Sequence, residues 1–193
     1  MKKSTEKEQK DIFSTQDMVL IALFASLITI CSFIKILIGP IPFTLQTFGV
    51  FVTAGLLGTK RGTTAVIVYV LLGFAGIPVF EGAGGPAALT GSTGGYIIGF
   101  IFMALVIGIV NQAARKKKAK IRAVIYFVGM LLGDMLCFTI GTVHFMVVTG
   151  MELSEVLAIC VVPFIIPDII KMIVANLLVN AVKAADYNRK IFD

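Results

Sequence analysis

Tryptophan is missing from this chain, histidine occurs once, and only 15% of the 193 residues are charged. Each shortage excludes something. The three cysteines, Cys31, Cys137 and Cys160, stand far apart inside apolar runs, with no CxxC or Cys/His spacing. Neither a disulfide frame nor a metal site is indicated, and buried free thiols are expected. No GxxxxGK[ST] motif occurs, so the chain cannot act as its own ATPase. His144 with Ser92 could suggest a base and a nucleophile, but no GxSxG elbow is present, and a histidine without such company reads as a packing or hydrogen-bonding residue. Soluble domains carry about 25% charged residues because they need a wet surface. At 15% charged and 58% hydrophobic, this chain lacks the polar surface to cover a globule, so its solvent is largely lipid.

The charges that are present lie in clusters. Fifteen of the 17 Lys and Arg residues fall in four segments: the first ten residues, Lys60-Arg61, the linker 115–122, and the end from Lys183 to Lys190. Lys35 and Lys171 alone lie elsewhere. Long apolar stretches separate the segments, which is the positive-inside pattern and not the aromatic-interleaved stripe of a nucleic-acid binder. Spans of roughly 20 residues then fit six times. They are expected near 18–38, 43–58, 63–76, 94–110, 123–148 and 156–182. The second and third are short enough to be re-entrant, and Lys60-Arg61-Gly62 is expected to turn the chain between them. Residues 77–93 hold Pro78, Glu81, Pro86 and four glycines, and are expected to form a structured loop. Six crossings put both termini in the cytoplasm, with Glu81, Glu152 and Glu155 outside. The expected organisation is an all-α integral membrane protein: a cytoplasmic tail (1–17), a six-helix membrane domain (18–185) and a second cytoplasmic tail (186–193).

Charges inside the spans are the strongest pointers to chemistry. Asp134 and Asp168 lie near the middle of the fifth and sixth spans, with Lys171 three residues past Asp168 on the same helical face. Ionisable groups in hydrocarbon cost at least a few kcal/mol, face the interior, and usually mark a site. Asp168 and Lys171 together offer an acceptor and a cationic donor suited to a small polar ligand with a carboxylate. A structural ion pair pinning two helices is the alternative. Gly91 to Tyr96 open the fourth span, where glycines admit either a ligand or a neighbouring helix. Ala22 with Ser26, and Ala25 with Thr29, form small-xxx-small pairs in the first span, fitting a partner helix or internal packing equally.

Four spaced motifs carry a resemblance. Pro40-Ile41-Pro42-Phe43-Thr44-Leu45-Gln46-Thr47, the turn from Gly58 to Gly62, Gly76-Ile77-Pro78-Val79-Phe80 and Ser92-Thr93-Gly94-Gly95-Tyr96 resemble the BioY family, the biotin-specific S components of energy-coupling factor (ECF) transporters. Pro167-Asp168-Ile169-Ile170-Lys171 fits that family's sixth-helix motif. The resemblance implies a non-enzymatic, cofactor-free, plasma-membrane subunit that captures biotin at the outer face. Its partners would be a transmembrane coupling protein and two cytosolic ATPases. It also implies that Asp168 accepts from the ureido ring and that Lys171 holds the valerate carboxylate or a neighbouring polar group. Tyr96 and the Thr93-Gly94-Gly95 turn would line the pocket, with Phe43, Gln46, Phe80 and Glu81 in or beneath the loops. The coupling protein would dock on the strip of Ala22, Ala25 and Ser26. Where many members carry a basic or amide residue in the Gly-rich third loop, this chain has Glu81 and no basic residue, which leaves the carboxylate partner open. A membrane scaffold subunit with a purely structural ion pair is the competing reading.

Overall fold

The computed structural model describes residues 13–37, 42–114, 117–186 and 191–192. Most of the expected N-terminal tail, the Gly39-Pro40-Ile41 turn, Arg115 and Lys116 in the basic linker, and part of the C-terminal tail lie outside the described residues. Among the described residues the regular structure is helical apart from one two-stranded sheet. Among the described residues, four helices or continuous helical runs are long and apolar enough to cross a membrane: 15–33, 94–113, 119–149 and 153–185.

Helix α1 (Thr15–Phe33) starts on a capping box, in which Ser14 accepts from the Asp17 N–H and Asp17 reaches back to the Ser14 N–H. It runs into β1 (Lys35–Leu37), which pairs antiparallel with β2 (Pro42–Thr44) in the register Lys35↔Thr44 and Ile36↔Phe43.

Helix α2 (Gln46–Phe74) is a helical hairpin of two arms, 46–57 and 59–74. The reversal comes at Gly58, whose φ of 72° suits glycine, and not at Lys60-Arg61-Gly62, which lie in the second arm. The arms fold so closely that a Cβ on Gly62 would meet the Ala54 Cα at 3.1 Å. Such an elbow strands the last carbonyls of the first arm. Asn111 answers one of them, donating to the Gly55 carbonyl at 2.7 Å, and Tyr126 donates to the Phe51 carbonyl at 2.7 Å.

The loop after α2 is structured, as expected. Phe80 and Ala83 exchange two backbone hydrogen bonds around Glu81 and Gly82, both at positive φ, which makes a two-residue hairpin turn. Short α3 (Pro86–Thr90) follows, then α4 (Gly94–Ala113) and α5 (Ala119–Thr149). The expected sixth span is broken at Val161 into α6 (Leu153–Cys160) and α7 (Val162–Ala185). Pro163 explains the break, since it lacks the N–H that would continue the helix.

Of these four runs α4 is the most enclosed: 56% of its apolar window is buried, against 28% for 153–185. The close approach of α4 to the α2 elbow needs Gly108, where a Cβ would lie 2.5 Å from the Thr59 Cα. The outward residues of α5 and α7, including Val124, Val147, Ile166 and Leu177, are apolar and exposed, as a lipid-facing surface requires.

Candidate ligand-binding site

A cavity of about 450 Å³ opens between the β1–β2 hairpin, the 80–93 loop and helices α2, α4, α5 and α7. Small-molecule pockets typically span about 300–1,000 Å³, with apolar walls and a few placed polar groups. The walls here include Phe80, Phe100, Phe138, Phe164, Ile97 and Tyr96, and the charged residues are Lys35, Glu81, Asp134, Asp168 and Lys171.

Asp168 and Lys171 face one another at 2.8 Å, 2% and 7% exposed. Thr47, from the first arm of α2, ties both ends: its hydroxyl donates to Asp168 Oδ1 at 3.0 Å and accepts from Lys171 Nζ at 3.0 Å. The Lys171 ammonium also sits 4.2 Å from the centre of the Phe43 ring, which stacks on Phe164. Pro167 just before Asp168 frees the Pro163 carbonyl in the same turn. Asp168 Oδ2 accepts from no described residue and keeps its capacity for a ligand donor. Asp134, on the facing helix, is buried, lines the cavity and makes no hydrogen bond among the described residues.

The rim of the cavity is built differently. Lys35 is exposed and donates to the Glu81 main-chain carbonyl at 3.1 Å. Ser32 donates to the Val79 carbonyl at 2.7 Å and accepts from the Glu81 N–H at 3.3 Å, so α1 holds the turn in place. Glu81 has a φ of 56°, unusual outside glycine and worth about 1–3 kcal/mol of backbone strain. Burial pushes its carboxyl above the ordinary glutamate value, and the Lys35 charge opposes that shift.

Of the residues singled out from sequence, Asp168, Lys171, Tyr96, Thr93, Gln46, Phe80 and Glu81 line this cavity together. Gln46 is partly committed elsewhere, because its side-chain N–H donates to the Tyr69 hydroxyl, which in turn donates to the Val79 carbonyl. Phe43 lies behind the lining, stacked beneath Lys171. Gly94 and Gly95 do not line the cavity. A Cβ on Gly94 would meet the Leu89 carbonyl at 1.8 Å, and one on Gly95 would meet His144 Cβ at 2.3 Å, so these glycines serve packing. His144 packs there and hydrogen-bonds the Gly91 carbonyl at 3.0 Å. In α1, Ala22 and Ser26 are exposed, whereas Ala25 is turned inward at 2% exposure and cannot belong to an outward strip. Sequence reasoning missed Lys35, Thr47, Phe138 and Phe164. It flagged Asp134 as an intramembrane charge without placing it in the site.

The sequence model of the BioY family matches residues 2–187. A biotin transporter BioY of Thermotoga maritima is 37% identical over 177 residues, covering 90% of this chain and 99% of that one. A probable biotin transporter BioY of Pyrococcus horikoshii is 35% identical, covering 84% and 93%. The 2.1 Å crystal structure of the S-component for biotin from an ECF-type ABC transporter superposes with a TM-score of 0.77 at 28% identity, covering 88% of this chain and 91% of that one.

Proposed function

The chain belongs to the BioY family, and from that premise we infer that it is the biotin-binding S component of an ECF-type importer. It is a multi-pass protein of the cell membrane that captures biotin for uptake driven by a transmembrane coupling protein and two cytosolic ATPases. The family is one of transporters, and the chain needs neither a catalytic group nor a cofactor of its own.

One observation carries this reading: a neutralised ion pair, Asp168 with Lys171, on the wall of an otherwise largely apolar cavity within a lipid-facing bundle. Biotin carries a ureido ring with two N–H donors and one acceptor oxygen, a thioether ring, and an apolar chain ending in a carboxylate. A ureido N–H meets Asp168 Oδ2, and the aromatic walls cover the ring and chain. Tyr96, Thr93, Gln46, Phe80 and Glu81 complete the lining, Phe43 backs it, and Gly94 and Gly95 set the α4 packing behind Tyr96.

The two arms of α2 serve as the second and third of six crossings. Basic residues at 60–61, at 115–122 and in both terminal tails (1–17 and 186–193) then share the cytoplasmic side, and Glu81, Glu152 and Glu155 the outer side. Ala22 and Ser26 form the docking strip for the coupling protein.

The test is a thermal-shift titration of the purified full chain. Biotin raises the melting temperature in a saturable way, while an equally charged short fatty acid does not. A folded protein whose melting is indifferent to biotin overturns the reading.

A further inference from the structure

Two cations line the cavity, and their surroundings differ in a way that bears on ligand choice. An ammonium has three N–H donors. Lys171 is fully engaged: Asp168 Oδ1 at 2.8 Å, the Thr47 hydroxyl at 3.0 Å and the Phe43 ring at 4.2 Å surround it, and Asp168 cancels its charge. A second anion at Lys171 would also face the Asp168 carboxylate beside it in a buried setting, where like charges repel strongly.

Lys35 is the opposite case. Its one hydrogen bond to a described residue goes to a neutral main-chain carbonyl, that of Glu81, and it forms no ion pair among the described residues. Two N–H donors and a full charge remain unspent. The strand pairing sets Lys35 across from Thr44, which lines the cavity with it. Glu81 is an acid within electrostatic reach of Lys35, and burial raises its carboxyl toward the neutral form.

We propose that Lys35 binds the carboxylate of the ligand, so that the β1–β2 rim reads the charged end of the molecule while the Asp168 wall reads its neutral ureido end. This rests on the biotin reading above. The carboxylate replaces water at the two open N–H groups of Lys35, and Lys171 keeps its charge-balancing contact with Asp168.

The test uses isothermal titration of the full chain in detergent with two probes, biotin and its neutral carboxamide. Wild type prefers biotin. Lys35→Gln loses about tenfold or more for biotin, while the carboxamide stays within about twofold, so the preference disappears. Lys35→Arg, which keeps the charge, restores most of it. An unchanged biotin-to-carboxamide ratio in Lys35→Gln overturns the assignment. So does an equal loss for both ligands with a lowered melting temperature, which would make Lys35 a strut of the hairpin only. Wild type that binds both probes equally also refutes the assignment, whereas wild type that binds neither removes the biotin reading itself and this inference with it.

Discussion

The buried wall and the exposed rim of the cavity each present one lysine, and the two are held in contrasting ways. Lys171 on α7 is 7% exposed and balanced by Asp168, whereas Lys35 on β1 is exposed and, among the described residues, hydrogen-bonds one neutral carbonyl. The difference follows from solvent. An ion inside a membrane bundle must be neutralised by the protein itself, because an unpaired one costs several kcal/mol whether or not a ligand is present. A lysine at the rim is neutralised by water and can exchange that water for a ligand. The wall therefore suits hydrogen bonding to a neutral group, and the rim suits recognition of charge.

Breaking the wall gives the largest expected effect. Asp168→Ala leaves Lys171 buried without a counter-ion, which destabilises by about 3–5 kcal/mol and lowers the melting temperature sharply. Asp168→Asn is milder in folding but weakens biotin by roughly 10- to 150-fold, the value of a hydrogen bond to a charged group. Titration of both variants beside wild type separates the folding effect from the binding effect.

A packing change behind the wall comes next. A Cβ on Gly141 would lie 2.1 Å from the Tyr96 ring. Gly141→Ala must displace that ring, costing about 1–3 kcal/mol and shifting Tyr96 against the ligand. Thermal melting with and without biotin reads both consequences.

At the rim, Glu81→Gln has a small effect with a definite sign. Burial raises the Glu81 carboxyl in the folded chain, so the folded state holds its proton longer than the unfolded state does. Stability is then lost as pH rises from the ordinary value of 4.5 through the raised one. The wild-type melting temperature should fall across that window more than that of Glu81→Gln, and equal slopes would contradict the assignment.

The smallest effect on the cavity belongs to the outer strip. Ala22 and Ser26 are exposed on α1, with Ser26 donating to the Ala22 carbonyl at 2.9 Å. The double change to Leu should leave biotin binding by the isolated chain within about twofold. Co-purification with the coupling protein and cellular uptake should fall together, because close packing drives helix association in lipid. Misfolding of the double variant would mean that the strip packs internally.

Much of this layout was legible before any coordinates. Intramembrane charges stand out against apolar runs, so Asp168 and Lys171 could be read directly, and the clustering of lysines outlined the helices. Thr47 was not legible, since a threonine in an apolar helix is ordinary until its hydroxyl meets a charge. Phe138 and Phe164 were lost for the same reason among the 15 phenylalanines. Lys35 was missed because 35–37 reads as the end of the first span, while backbone pairing with 42–44 makes it a strand that carries the lysine to the cavity. Gly94 and Gly95 were read toward a ligand, yet glycine permits close approach of backbone or side chain alike, and here the Leu89 carbonyl and His144 take the space. Gly58 took the reversal assigned to residues 60–62 because its positive φ lets the second arm begin at once.

The claim that the buried pair is part of the ligand site, and not only a pin between helices, is tested most directly by removing both charges together. Apolar replacement of a whole buried pair is often neutral or stabilising, unlike removal of one member. The double variant Asp168→Leu/Lys171→Met should therefore melt near the wild-type temperature while its biotin affinity, measured by isothermal titration, falls by at least about tenfold. A double variant that folds and binds biotin as tightly as wild type would contradict the account and leave the pair a structural pin.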